Sequence, residues 1–129
     1  MNKLIPYLTR VLLTLDVIVI SILAFTPLEV PAIVNLNDKI SHALAFLSLA
    51  FLTDYSFPTH RYRDKVIACM LYGVSIELIQ ILIPNRLFSI GDIIADGVGL
   101  AIYPMFWPIL KKTPILRNRF NLTDNSRNI

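Results

Sequence analysis

Three ionisable side chains that stand inside otherwise apolar stretches are the residues of this chain best suited to chemistry. His42, Glu77 and Asp96 lie in three different stretches. An ionisable side chain inside a bilayer costs at least ~2.5–3.5 kcal/mol on insertion scales, so each of these groups requires a partner or a function. Imidazole and carboxyl groups are also common general acids and bases. We therefore take His42, Glu77 and Asp96 as the candidate catalytic residues.

Helical spacing joins further polar residues to these three. Residues three or four positions apart share one face of a helix, and the pairs with this spacing are Asp38 and His42, Glu77 and Gln80, and Asp92 and Asp96. At 1.5 Å per residue, the catalytic candidates lie at a similar depth of ~6–9 Å below the ends of their stretches. We expect one shared polar pocket, whose candidate ligand-binding residues are Asp38, Lys39, Gln80, Arg86 and Asp92.

The elements that must position these residues are four long apolar stretches, at residues 4–25, 38–57, 66–83 and 89–110. The 129 residues are 55% apolar and 16% charged, which is more apolar than an ordinary soluble domain and matches four spans of about 20 residues. We predict an all-α integral membrane four-helix bundle; a soluble all-α protein is the rival.

Ser89 and Asp92 have capping-box spacing at the start of the fourth stretch. Pro104 should interrupt that stretch, and its Ala95/Gly99 and Gly97/Ala101 pairs should let another helix approach closely.

The basic residues predict the orientation of the bundle. Ten of the twelve Lys and Arg residues precede the first stretch, separate the second from the third, or follow the fourth. Lys and Arg stay on the cytoplasmic side of short loops, so both termini should be cytoplasmic and the polar pocket should open outward. This arrangement accounts for the basic composition without a nucleic acid partner. We assign residues 1–112 to the membrane domain and 113–129 to a basic, polar cytoplasmic tail, without stable structure from residue 118.

Taken together, the motifs resemble those of the VanZ-like family of bacterial membrane proteins. The resemblance covers residues 35–104 and rests on Asp38-Lys39-x-x-His42, Glu77-x-x-Gln80, Arg86, and Asp92-x-x-x-Asp96-x-x-Gly99. Asp96 stands where the family usually has Asn. The resemblance implies a multi-pass protein of the bacterial inner membrane with a cell-envelope connection. The family is named for a protein linked to teicoplanin resistance, but the resemblance supplies no reaction and does not make this chain a resistance protein.

Our first hypothesis is a binding site for an anionic envelope lipid, with a phospholipid headgroup or a polyprenyl phosphate as the ligand. Two helices would present their N-termini to the outer side, and such ends bind anions. Arg86 could hold a phosphate through two parallel hydrogen bonds, and Lys39 would add a point charge. The acidic residues outnumber these two cations, which weighs against a purely anionic ligand.

Two alternatives use that surplus of acidic residues. A metal- or acid/base-dependent hydrolase or transferase could hold a divalent cation among the acids and His42, or use His42 or Glu77 as a base. The spacing matches no strict metal motif, so the cofactor is left open. A proton- or ion-coupled transporter is the third hypothesis. Four helices are few for a transport path, so that hypothesis requires a homodimer.

Overall fold

The chain is all-helical over the residues that the structure, a computed structural model, describes: 3–27 and 36–121. The helices are α1 (Leu4–Phe25), α2 (Leu36–Ser56), α3 (Tyr62–Gln80), α4 (Ile90–Ile102) and α5 (Trp107–Lys112), with a 3₁₀ turn at Tyr103–Phe106 between the last two. The described ranges contain no strand. The all-α prediction is therefore confirmed.

Local sequence signals account for how the fourth apolar stretch folds. The side chain of Ser89 accepts a hydrogen bond from the Asp92 backbone N–H at 3.2 Å, which caps the first turn of α4. At the other end, α4 stops at Ile102 and the chain continues as the 3₁₀ turn, with Pro104 near its start. Proline has no N–H to donate and crowds the preceding turn, so the α-helical ladder cannot continue through it. The predicted single stretch is thus α4, the 3₁₀ turn and α5 in succession.

Polar contacts show how α1 lies against α2 and α3. Arg10 Nε donates to the Ser56 carbonyl at 3.0 Å, and Ser48 Oγ donates to Asp16 Oδ2 at 3.0 Å. From the first contact to the second, the residue number increases on α1 and decreases on α2. The two helices are therefore antiparallel. The hydroxyls of Ser21 and Tyr72 lie 2.8 Å apart and join α1 to α3.

The close packing of α2 on α4 depends on Gly99. A Cβ atom at position 99 would overlap the carbonyl oxygen of Ala43 and lie 3.0 Å from the Leu47 backbone nitrogen. Ala95, one turn earlier on α4, is also buried. Among the described residues, a Cβ at Gly97 would meet only Met70 Sδ, at 3.9 Å. The Ala95/Gly99 pair is therefore the one that admits a neighbouring helix backbone.

Two segments are long and apolar enough to cross a membrane: α1 and Ile90–Lys112, which runs from α4 through α5. Within the described ranges these are the two that pass this test of length and composition; α2 and α3 carry more polar and charged residues. Ten large apolar side chains of α1 are exposed, which is more than the scattered exposure usual on soluble domains. These features are consistent with a membrane protein.

The first residues of the predicted tail pack against the helices, and the expectation that structure ends at residue 118 is wrong for residues 118–121. Arg119 and Phe120 are 6% and 9% exposed. Arg119 pairs with the carboxylate of Asp54, which also accepts hydrogen bonds from Lys65 Nζ at 2.6 Å and the Tyr103 hydroxyl at 2.7 Å. We call Asp54, Lys65, Tyr103 and Arg119 the Asp54 cluster. Residues 122–129 lie outside the described ranges.

Candidate functional site

Five of the predicted site residues meet where the N-terminal half of α2 lies beside α4. Lys39 Nζ contacts Asp92 Oδ1 at 2.9 Å, and His42 Nδ1 contacts Asp96 Oδ1 at 2.9 Å. His42 Nε2 lies 3.6 Å from Asp92 Oδ2, and Asp38 offers a carboxylate oxygen within 4.8 Å of His42 and Asp92 ligand atoms. We call Asp38, Lys39, His42, Asp92 and Asp96 the polar cluster.

Two glycines make room for the polar cluster. A Cβ at position 73 on α3 would lie 2.7 Å from Asp96 Oδ2 and 3.0 Å from Phe46 Cζ. A Cβ at position 91 would lie 2.5 Å from Lys39 Nζ, although a lysine tip moves easily. Gly73 therefore sets the place of the buried Asp96 carboxylate, which packs directly against the backbone of α3.

Glu77 lies beside the polar cluster and binds the N-terminal end of α4. Its side chain is fully buried, and its Oε2 accepts a hydrogen bond from the Ser89 backbone N–H at 2.9 Å. Its other oxygen, Oε1, has no hydrogen-bond partner within the described residues. In a complete capping box the carboxylate of Asp92 would accept from that Ser89 N–H. Because Glu77 accepts it instead, the Asp92 carboxylate can bind Lys39.

Gln80 and Arg86 bind the C-terminal end of α1 rather than the polar cluster. Gln80 Nε2 donates to the Ala24 carbonyl at 2.9 Å. Arg86 Nη2 donates to the Leu23 carbonyl at 2.6 Å and to the Thr26 carbonyl at 3.1 Å. The last carbonyls of a helix have no partners within it, so these two side chains satisfy the end of α1.

A cavity of about 270 Å³ joins the two groups of residues. Its apolar wall consists of Ile20, Leu23, Ala24, Ala45, Phe46 and Ile76. Its polar lining consists of Asp38, Ser41, His42, Gln80, Arg86 and Asp96. Gln80 and Arg86 thus share the cavity with three members of the polar cluster. Lys39, Glu77 and Asp92 do not line it.

The arrangement suits a ligand with one polar and one apolar part. Binding pockets are mostly apolar, and a few placed polar groups orient the ligand. The hydrogen bond between His42 Nδ1 and Asp96 fixes the imidazole ring. A ring held in this way can accept or donate a proton at Nε2. The geometry can therefore bind an amphipathic molecule and, at His42, transfer a proton.

The Asp54 cluster was not predicted from the sequence. Asp54 is an acid inside the second apolar stretch and is fully buried, so the same argument from the cost of burial would have selected it. Its partners come from the start of α3, from the 3₁₀ turn and from the tail, and no spacing rule connects those segments. The cluster belongs to the end of the molecule where α2 ends and α3 begins, away from the polar cluster.

Comparison with known proteins identifies the family. The model of the family described as VanZ/LLP1 matches residues 4–111. No curated protein and no solved structure gives a significant match. The family match covers most of the chain and extends beyond the motif region at 35–104 on both sides. The chain belongs to the VanZ/LLP1 family.

Proposed function

We propose that this protein spans the bacterial inner membrane several times and binds a phosphate-bearing envelope lipid in the cavity between α1, α2 and α3. One observation carries the proposal: the cavity combines an apolar wall with a charged lining that includes Arg86 and His42. An acyl or polyprenyl chain would lie on the apolar wall, and the phosphate would face the charged lining.

Arg86 is the residue best suited to the phosphate. Its hydrogen bonds to the end of α1 use Nε and Nη2. A guanidinium group has five N–H donors in a planar fork, and the described residues leave the two on Nη1 for a phosphate oxygen. A protonated His42 would add a second positive donor. Lys39 balances Asp92, which limits the repulsion that the acidic residues would exert on an anion.

The proposed orientation has four crossings, with both termini in the cytoplasm. The antiparallel packing of α1 and α2 supports it, as do the basic residues near the start of α1, the start of α3 and the end of α5. The polar cluster would then open to the periplasm. In spheroplasts carrying Cys69→Ala, an impermeant maleimide should label Leu87→Cys at once and Thr59→Cys only after permeabilisation. The reverse order of labelling would place the cavity on the cytoplasmic side.

Lipid binding can be tested by filling the cavity. Ala45 lines the cavity, whereas Ala68 is exposed on α3. Native mass spectrometry of protein extracted in a mild detergent should show a bound phosphate-bearing lipid for the wild type and Ala68→Leu, but much less for Ala45→Leu. Equal lipid retention by the two variants would refute the proposal.

The pairing of His42 with Asp96 favours a second candidate, an acid/base hydrolase or transferase that acts on the same lipid. A general base needs a partner that orients it, and the 2.9 Å contact supplies one. Release of inorganic phosphate from a polyprenyl phosphate or a phosphatidic acid should then fall at least 100-fold in His42→Ala and stay unchanged in His60→Ala. Wild-type protein that binds lipid without releasing phosphate or exchanging a headgroup would leave binding as the function.

A further inference from the structure

The polar cluster has the composition of a transition-metal site, and this deepens the proposed function by assigning a cofactor to the same cavity. Asp38, His42 and Asp92 each offer one ligand atom, and the three atoms lie within 4.8 Å of one another. Asp38 and His42 are one turn apart on α2, and Asp92 lies opposite on α4. Three protein ligands with an open fourth position are typical of zinc sites that act on a substrate.

The separation between His42 and Asp92 fits two ligands of one ion. Nε2 and Oδ2 are 3.6 Å apart, which is too long for a hydrogen bond. Zinc lies about 2.0–2.2 Å from nitrogen and oxygen ligands, so two ligands of a tetrahedral ion are separated by about 3.4 Å. A small rotation of the two side chains would close that difference.

The second ring nitrogen of His42, Nδ1, has a partner of the kind that is common in metal sites. His42 Nδ1 contacts Asp96 Oδ1 at 2.9 Å, and Asp96 is almost completely buried. Histidines that ligate metals usually donate their second ring N–H to a carboxylate or carbonyl, which directs the other nitrogen at the ion. Lys39 is paired with Asp92 Oδ1, so the other oxygen, Oδ2, could bind the metal.

Charge and burial supply an independent argument. Glu77 is fully buried, and its Oε1 has no hydrogen-bond partner in the described part of the chain. Its carboxylate is close enough to Asp92, His42 and Asp96 to interact with them electrostatically. With Asp38, four carboxylates thus face the Lys39 ammonium, the His42 imidazole and the Arg86 guanidinium that lines the same cavity. Fully ionised, the carboxylates exceed these cations by one negative charge even with His42 protonated, and a bound cation would offset that excess.

We infer that Asp38, His42 and Asp92 bind one divalent transition-metal ion, with Asp96 as the partner that orients His42. A mixed set of imidazole and carboxylate ligands suits Zn²⁺ or Mn²⁺ better than Mg²⁺ or Ca²⁺, which prefer oxygen ligands alone. A metal at this position would lie at the edge of the cavity, which Asp38 and His42 line and Asp92 does not. There the metal, in place of a protonated His42, could contact a phosphate oxygen of the proposed lipid.

Metal binding can be measured directly on the detergent-purified protein. After chelator treatment and removal of the chelator, the protein is titrated with ZnCl₂, MnCl₂ or MgCl₂ by calorimetry, and bound metal is counted by mass spectrometry. We expect one equivalent of Zn²⁺ or Mn²⁺ and weaker Mg²⁺ binding. His42→Ala should weaken Zn²⁺ binding at least 100-fold, and Asp96→Asn by about 10- to 100-fold. His60→Ala removes the other histidine of the chain and should change the affinity less than twofold.

A second measurement avoids dependence on variants that fail to fold. In His60→Ala protein, His42 is the one remaining imidazole, and its modification by diethyl pyrocarbonate can be followed by mass. Zn²⁺ should slow this modification at least tenfold. An unchanged rate, or Zn²⁺ retained at full affinity by folded His42→Ala, would overturn the metal site.

Lipid measured on the same samples separates the two proposals. Bound lipid without metal overturns the metal site and leaves lipid binding intact. One equivalent of metal without any lipid supports the metal site and refutes lipid binding. Absence of both refutes both.

Discussion

The contact between Gly99 and α2 provides the sharpest test of how the polar cluster is held together. A Cβ added at position 99 would meet backbone atoms of Ala43 and Leu47, and backbone cannot rotate away as a side chain can. Gly99→Ala must therefore push α2 away from α4. The same movement would lengthen the contacts of Lys39 with Asp92 and of His42 with the neighbouring acid, because both contacts join these two helices.

Gly97→Ala is the matched control and allows the magnitude to be worked out. Alanine is favoured over glycine by about 0.8–1.0 kcal/mol inside a helix, and this gain applies equally at both positions. At position 97 the new Cβ meets only Met70 Sδ, at 3.9 Å, so we expect a small gain in stability. At position 99, overpacking costs about 1–3 kcal/mol. The difference between the two variants should therefore be about 1–3 kcal/mol, with Gly99→Ala the less stable.

The single cysteine supplies the assay. Cys69 is 5% exposed, so a thiol-reactive fluorogenic dye reacts with it only as the protein unfolds. Thermal unfolding in detergent should give midpoints in the order Gly97→Ala, wild type, Gly99→Ala from highest to lowest. Zn²⁺ affinity should fall only in Gly99→Ala. If Gly99→Ala unfolds at or above the temperature of Gly97→Ala, the close approach of α2 and α4 is not as described.

Three further predictions concern single positions. Gly73→Ala should displace the carboxylate of Asp96, because the new Cβ would lie 2.7 Å from Oδ2. Zn²⁺ affinity measured by calorimetry should then fall at least tenfold, and unchanged affinity would contradict the role of Asp96 in orienting His42. Asp54→Asn removes the buried carboxylate that Lys65 and Arg119 share and should cost about 3–5 kcal/mol, whereas Arg119→Met leaves Asp54 and Lys65 as a neutral pair and should cost less; equal losses in thermal unfolding would contradict this. Lys39→Met removes a cation that competes for a site carboxylate, so Zn²⁺ should bind more tightly, and weaker binding would count against the proposed ligand set.

Short side chains on regular helices were the part of the site that sequence could predict. Residues 4–25 were predicted as the first helix, and α1 has these bounds. The meeting of His42 with Asp96 follows from their similar depth and from the helix faces set by Asp38 and Asp92. These residues reach only to the adjacent helix, so depth and face were sufficient to predict their contact.

Long side chains and chain ends were beyond such reasoning. Arg86 and Lys39 were expected to line one pocket, but only Arg86 lines the cavity, and its guanidinium also reaches across to the C-terminal carbonyls of α1. Helical spacing fixes where a side chain begins and not where a flexible one ends. The pairing of Arg119 with Asp54 joins residues 65 positions apart. It brings part of a polar tail into the packed structure, which composition alone did not indicate.

Mapping the position of a bound lipid tests directly whether the cavity beside the polar cluster holds a phosphate-bearing lipid. A phosphatidic acid with a diazirine on its acyl chain can be cross-linked to the protein in vesicles and the modified peptides mapped. Cross-links should be concentrated on Ile20, Ala24 and Phe46, which line the cavity, and should be lost in Ala45→Leu. Cross-links spread evenly over exposed residues of α1 such as Leu12 and Leu15, unaffected by Ala45→Leu, would contradict lipid binding in the cavity.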